Sequence, residues 1–359
     1  MADHPRVLLT VSGPIPETLD DDVADRRRPR ADYRVMAEAM GADVVDTIEA
    51  RRASGLIGRL LERAGPGPLL AWYCWRHRTR YDVVLTDGEQ VGLPFAALCR
   101  LGRRRPRHVM IVHIVSTTPK RRVIRFGGLT RAIDRWLVYS SRQAEIIRDD
   151  FGVDAERVEL TTFMVDTDFF AESDVVTPSA GGRPVISSAG LERRDYPTLL
   201  AAVDGLDVDV VIAAASPWST KADSTEGQHI PDNVEIRRLD LFELRELYAR
   251  SAFVVMPLVE VEFQAGITTI LEAMAMSRAV VCTRTPGQTD TIVEGSTGRY
   301  VPPADVEALR SALLDLIDDD VERRRLGDEA RRWVVAHADI DVYAERLARS
   351  VASVADRAD

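Results

Sequence analysis

The chain has 359 residues, 45% of them hydrophobic and 29% charged, with a formal net charge of -10. That length is too great for one ordinary core and predicts two domains, and the composition is globular, which excludes a disordered chain. The acid excess argues against a general nucleic-acid binder. No apolar run approaches the ~18 residues of a spanning helix, and Cys74, Cys99 and Cys282 form no C-x-x-C, which argues against a disulfide framework or a zinc site and for a reducing cytoplasm.

In chain order, residues 7–11 (VLLTV) read as a buried strand ending at Ser12-Gly13-Pro14. This first apolar run is short, follows no basic segment and is cut by Pro14 and Pro16, unlike a signal peptide. A helix over 30–40 stops at Gly41, and strands follow at 42–47, 81–86 (YDVVLT) and 108–115 (HVMIVHIV), with a helix over 91–101. A strand at 136–140, a helix over 142–151 and a strand near 158–162 complete the alternation of a doubly wound parallel sheet. Such sheets bind ligands beyond the carboxyl ends of their strands, where Gly13 and His113 fall.

Two basic features stand out in this half. Residues 56–61 lead, after the Gly65-Pro66-Gly67-Pro68 break, into LLAWYCWRHRTR, where Trp72, Tyr73 and Trp75 precede four cations. Aromatics beside cations suit the surface of an anionic membrane; the alternative is a helix packed on the sheet with a charged end. Between Arg100 and Arg135 eleven basic residues face one acid, Asp134, a local field for phosphate groups or an anionic membrane, or a solvated surface.

Residues 171–184 are small and turn-forming and are read as a linker between a domain over 1–170 and one over 185–340. The second half repeats the alternation, with strands at 184–189, 208–214, 234–238 and 253–257, a polar loop over 216–233, and helices over 196–203, 241–251, 305–316 and 320–336. An amphipathic helix over 341–359 is expected to pack back on the first domain.

The chemistry is expected between 253 and 303. Ala265-Gly266-Ile267-Thr268-Thr269 leads into ILEAMAM, so the N–H groups of a helix start are offered to an anion, and Gly266 lets backbone approach a phosphate or sugar closely. Glu272 falls one to two turns in, eight residues after Gln264. A carboxylate there can accept from a diol such as ribose, or can be a buried acid satisfied locally.

These residues resemble the retaining glycosyltransferase family four, also called glycosyl transferases group 1. The family's acid, seven residues, second acid and EAMA are matched by Gln264-AGITTIL-Glu272-AMAMSRAVVCT, and GQTDTIVEGSTGRYVPP at 287–303 is similar to its glycine-rich stretch that ends in proline. The VDTDFF at 165–170 resembles its G-V-D-x-x-x-F. The resemblance implies the α/β GT-B fold, two Rossmann-like domains facing across a cleft, and transfer of a sugar from a nucleotide-sugar donor to an acceptor hydroxyl with no cofactor or metal. It also implies that Glu272 holds the ribose, that Gln264, in place of the first acid, meets donor hydroxyls, and that Ile267 and Thr268 offer backbone N–H groups. Arg193 and Arg194, after Gly190, would grip the diphosphate, His113 would serve the reacting sugar, and Gly13 would touch the donor phosphate.

The sequence departs from the family's paired glycines at Gly13 and from its P-N-G at Thr162-Phe163-Met164. The D-x-D pairs Asp166/Asp168 and Asp207/Asp209 are read as decoys. Hydrolysing epimerisation and a nucleotide-sugar-binding subunit are the alternative functions. The expected partners are a nucleotide sugar, an acceptor of unspecified class and, peripherally at the inner membrane face, anionic lipid, with no nucleic acid.

Overall fold

The computed structural model describes residues 5–102, 104–171, 182–214 and 229–356. Within them the chain forms two compact units. Unit 1 comprises the described parts of Met1–Asp21, Arg30–Thr162 and Asp341–Asp359, and unit 2 comprises Asp22–Pro29 and the described parts of Phe163–Ile340.

The first half runs β1 (Val7–Thr10), α1 (Leu19–Ala24), α2 (Asp32–Met40), β2 (Asp43–Val45), α3 (Thr47–Glu62), α4 (Pro66–His77), β3 (Val83–Thr86), α5 (Glu89–Cys99), β4 (Arg107–Val112), α6 (Thr118–Gly127), β5 (Arg135–Val138), α7 (Ser141–Glu145) and β6 (Val158–Leu160). Its strands form one parallel sheet in the order β2-β1-β3-β4-β5-β6. Every residue of β1 and β3 is buried, as expected of parallel strands covered on both faces, which is why they read in the sequence as continuous apolar runs. Helix α2 ends where predicted, on Gly41 at φ 60°, a left-handed conformation that glycine adopts without strain. The helix expected over 142–151 is short α7 followed by a π turn at Ile146–Asp150.

The second half runs β7 (Val185–Ala189), α8 (Tyr196–Val203), β8 (Asp209–Ala213), β9 (Val234–Arg237), α9 (Leu241–Arg250), β10 (Phe253–Met256), α10 (Ile267–Ala275), β11 (Val280–Thr283), β12 (Gly298–Val301), α11 (Val306–Asp318), α12 (Asp320–His337) and α13 (Ile340–Ala355). Its parallel sheet has the order β12-β11-β10-β7-β8-β9. The order reverses at β7/β10, and in unit 1 it reverses at β1/β3. These switch points are where an open α/β sheet leaves a crevice at its carboxyl edge.

Helix α13 packs on unit 1. Tyr343 and Tyr139 share a hydroxyl hydrogen bond at 3.2 Å, Ser350 donates to Glu159 at 2.7 Å, and Arg346 reaches Thr162 Oγ1 at 2.8 Å. The changeover between units falls between Thr162 and Phe163. Residues 163–170 are held in unit 2 by the backbone bonds Val165 N to Ala338 O and Ile340 N to Val165 O, each within 3.0 Å, and by Arg331 on the carbonyls of Thr167 and Phe170. Of the linker read at 171–184, residues 172–181 lie outside the described residues, as do 215–228 of the polar loop.

The basic region of the first half is less open than its composition suggests. Arg105 and Arg107 converge on Asp134, Lys120 reaches Glu89 at 2.6 Å, Arg121 pairs with Asp150 and Arg135 with Glu159. Arg103 lies outside the described residues. Trp72 and Trp75 are half-buried and stacked on each other at 5.2 Å, and Trp75 packs on the core of unit 1. Among the described residues no helix is long and apolar enough to cross a membrane.

Candidate active site

In unit 2 the loops after β7 and β10 meet at the switch point. Arg194 and Leu258 form a bridge between them, reinforced by Asp195 N to Pro257 O and Val259 N to Arg193 O, both 3.1 Å. Gly190 sits at φ +94°, and a Cβ there would lie 2.4 Å from the Arg194 guanidinium, so a larger residue would push that side chain away. Arg194 itself is buried. Its Nε donates to Ala189 O at 2.8 Å and its Nη1 to Glu192 O at 2.7 Å, and burial lowers its pKa. Arg193 is exposed and held at φ 60°. The two arginines predicted to act together are thus differently built: one is locked into the loop and one projects from it.

Gly266, at φ +74° and packed against Met256, opens α10, and no side chain caps that helix start. Its first-turn donors and the helix dipole favour an anion at this position, beside the exposed Thr268. Ile267 is buried. Glu272 is buried in the second turn, where Tyr248 Oη donates to its Oε2 at 3.1 Å. Burial pushes the carboxyl up to about 8, against the pull of the Tyr248 hydrogen bond. The Arg194 charge also acts on Tyr248, so Arg194, Tyr248 and Glu272 form one electrostatic group.

Gln264 is held by a relay of neutral groups. Its Nε2 donates to Thr291 Oγ1 at 3.1 Å, Thr291 donates to Gln288 Oε1 at 3.4 Å, and Gln288 Nε2 donates to Ala265 O at 3.0 Å. The Gln264 Oε1 is buried and has no hydrogen-bond partner among the described residues. The loop that carries Gln264 also requires Gly287, because a Cβ there would lie 2.2 Å from the Phe263 carbonyl oxygen. Backbone cannot yield as a side-chain tip does. Gly287→Ala is therefore expected to destabilise the protein by about 3 kcal/mol, at the upper end of overpacking costs, read as a lowered Tm in thermal unfolding.

In unit 1, His113 lies one residue beyond β4. Its N–H donates to Glu89 Oε2 at 2.9 Å, its ring packs on Tyr139, and its Nε2 lies 3.5 Å from Asp87 Oδ1. Burial lowers its pKa, but the hydrogen bond and charge of Asp87 and the charges of Glu89 and Asp32 outweigh this, and the net shift is upward. Asp32 is pushed up to about 6 by burial and by Asp87. Gly13 is half-buried after β1, beside Ser12, which donates to Asp87 O and accepts from Gln90. The β1, β3 and β4 ends thus gather Gly13, Asp87 and His113 within one unit.

Sequence reasoning missed Tyr248, Gln288 and Thr291 in unit 2 and Asp32, Asp87 and Glu89 in unit 1. Asp87 carried a usable signal, since it follows directly on the third strand at the switch point. The D-x-D pairs have other employment: Asp166 accepts from Asp168 N, and Asp207 and Asp209 both face Arg183.

Two curated relatives and one solved structure bear on this geometry. The MMP α-(1→4)-mannosyltransferase of Mycolicibacterium hassiacum is 29% identical over 244 residues, covering 62% of this chain; the match spans only 57% of that relative's length. The GDP-mannose-dependent α-(1-6)-phosphatidylinositol monomannoside mannosyltransferase of Mycolicibacterium smegmatis is 25% identical, over 87% of this chain and 82% of its own. HepE of Anabaena, solved in complex with UDP, superposes with a TM-score of 0.71 at 15% identity, over 97% of this chain and all of its own. That likeness shows the fold, two Rossmann-like α/β units of the GT-B class, as expected from the sequence. The family resemblance is met over the segment that holds Arg193, Arg194, Gln264 and Glu272: residues 193–319 match the family described as glycosyl transferases group 1.

Proposed function

We propose that the chain is a retaining glycosyltransferase that moves a hexosyl group from a nucleotide sugar to an acceptor hydroxyl without a metal ion. The observation that carries this reading is the convergence at the β7/β10 switch point of the Arg194 loop, the uncapped start of α10 and the buried Tyr248–Glu272 pair. Arg193, Arg194 and the helix start would stabilise the charge that develops on the departing nucleoside diphosphate, the work that a metal ion does elsewhere. The acceptor hydroxyl attacks the anomeric carbon from the leaving-group side, its proton passing to a diphosphate oxygen. Glu272 takes the ribose diol, Gln264 a sugar hydroxyl, and Ile267 and Thr268 the phosphates. The buried free thiols of Cys74, Cys99 and Cys282 accord with a cytoplasmic enzyme.

Both curated relatives are named as mannosyltransferases, so GDP-mannose is the first donor to test, followed by UDP-glucose and other sugar nucleotides. Ligand-dependent rises in Tm identify the donor, because a ligand bound only by the folded state stabilises it. Turnover over an acceptor panel then tests transfer. Interconversion of sugars would point instead to an epimerase. Nucleotide binding without turnover would favour a binding subunit, the second reading, which draws on the amide at Gln264.

Gln264→Glu probes that amide directly. A carboxylate at 264 cannot donate to Thr291, whose hydroxyl must then turn away from Gln288, so the variant is expected to lose about 1 kcal/mol of stability and to change the ranking of donors by kcat/KM. A uniform gain in rate across all donors would show instead that the amide is merely a weakened acid.

A further inference from the structure

Four large apolar side chains of unit 1 stand exposed on α3, outside the candidate active site. Leu56 is 81% exposed, Leu60 65%, Ile57 47% and Ile48 41%. The helix breaks at Gly55, at φ 57° and ψ -132°, into two arms. In the second arm Gly58 is buried and Leu61 half-buried, whereas Leu56, Ile57 and Leu60, at helical spacings of one, three and four, form an outward arc. The break leaves a concavity of about 680 Å³ lined by Ile48, Arg51, Arg52, Leu56, Arg59 and Glu62.

We infer that α3 docks the protein on an anionic lipid bilayer, with Leu56, Ile57 and Leu60 entering the headgroup boundary and Arg52, Arg59 and Arg63 meeting lipid phosphates. Charge selects this occupant. Residues 47–64 carry four arginines against two glutamates in a chain of net charge -10. One of those acids, Glu62, is paired with Arg51 at 3.2 Å, and the other, Glu49, accepts from Tyr73. Among the described residues no carboxylate pairs with Arg52, Arg59 or Arg63. Two copies joined through this face would set four arginines against four, so self-association is disfavoured. Nucleic acid would satisfy the arginines but leave the leucines in water. An apolar arc bordered by arginines is the composition of a helix that lies in a membrane interface, where a guanidinium takes phosphate oxygens in pairs. The placement also differs from the one suggested by Trp72 and Trp75, which stack on each other, with Trp75 packed on the core.

The test is co-sedimentation of the full chain with vesicles of phosphatidylcholine alone and of phosphatidylcholine mixed with phosphatidylglycerol. Binding is expected only to the mixed vesicles and is expected to weaken with salt. Leu56→Ser combined with Leu60→Ser should lower the vesicle partition coefficient at least about tenfold, and Arg52→Gln and Arg59→Gln about fivefold each. Because these side chains are exposed, the variants should keep the parent Tm. Three results would overturn the inference: no binding to mixed vesicles, binding that the leucine variant retains in full, or a concentration-dependent dimer that Leu56→Ser dissolves in the absence of lipid.

Discussion

Replacing Arg194 by alanine is expected to cut transfer at least about 100-fold, the scale on which removal of a preorganised donor to a transition state is felt. The guanidinium is oriented by the carbonyls of Ala189 and Glu192 and by the close fit of Gly190, so in the proposed reaction it would need no reorganisation as charge develops on a diphosphate. The same bonds mean that truncation also leaves the buried Ala189 carbonyl without this donor, at roughly 1 to 3 kcal/mol, while the part-buried Glu192 carbonyl can turn to water, and Tm should fall with activity. Ligand affinity separates the two effects. A lost phosphate contact weakens nucleoside diphosphate binding while leaving the bare nucleoside unaffected, whereas a collapsed loop weakens both. Arg194→Lys should recover part of the diphosphate affinity through its charge but not the fork that spans two carbonyls. A folded Arg194→Ala protein with near-parental turnover would remove Arg194 from the reaction.

What could be read from the sequence divides along a physical line. The strands were legible because parallel strands buried on both faces leave unbroken apolar runs, as in VLLTV and YDVVLT. Gly266 and Glu272 were legible because a helix start and the carboxylate one to two turns later are fixed by local spacing along one segment. Tyr248 was not, since it reaches Glu272 from α9, 24 residues away, and in the sequence it is simply an apolar position of an amphipathic helix. The relay from Gln264 through Thr291 and Gln288 is hidden for the same reason. Arg193 and Arg194 are adjacent in sequence and look alike; only the left-handed backbone at Arg193 sends one outward while the other folds back. Helix α3 shows a third kind of limit: it was not read as a helix from the sequence, and which arc of it stays exposed is decided by packing that the sequence pattern does not contain.

Glu272 should release a proton when the nucleotide binds. Burial holds its carboxyl up at about 8, so at pH 7 it is mostly the neutral acid. Ribose hydroxyls that donate to it stabilise the carboxylate, and the pKa must fall on binding. Calorimetry at pH 7 in buffers of differing ionisation enthalpy is expected to show about one proton released per nucleotide, declining to none well above pH 8. Glu272→Gln should abolish the release and weaken nucleotide binding at least about tenfold, the value of a hydrogen bond to a charged group. Stability supplies an independent check with a definite sign. The folded-state pKa lies above the ordinary 4.5, so the native protein holds a proton that the unfolded chain has lost throughout the window from 4.5 to about 8. Stability from this group is therefore complete below pH 4.5 and declines as pH rises to about 8, by up to about 1.4 kcal/mol per pH unit. Glu272→Gln carries no such proton, and its Tm should gain on the parent across that window and run parallel to it above. Nucleotide binding that is independent of pH and moves no proton would leave Glu272 a buried structural acid, and the ribose would have to be held elsewhere.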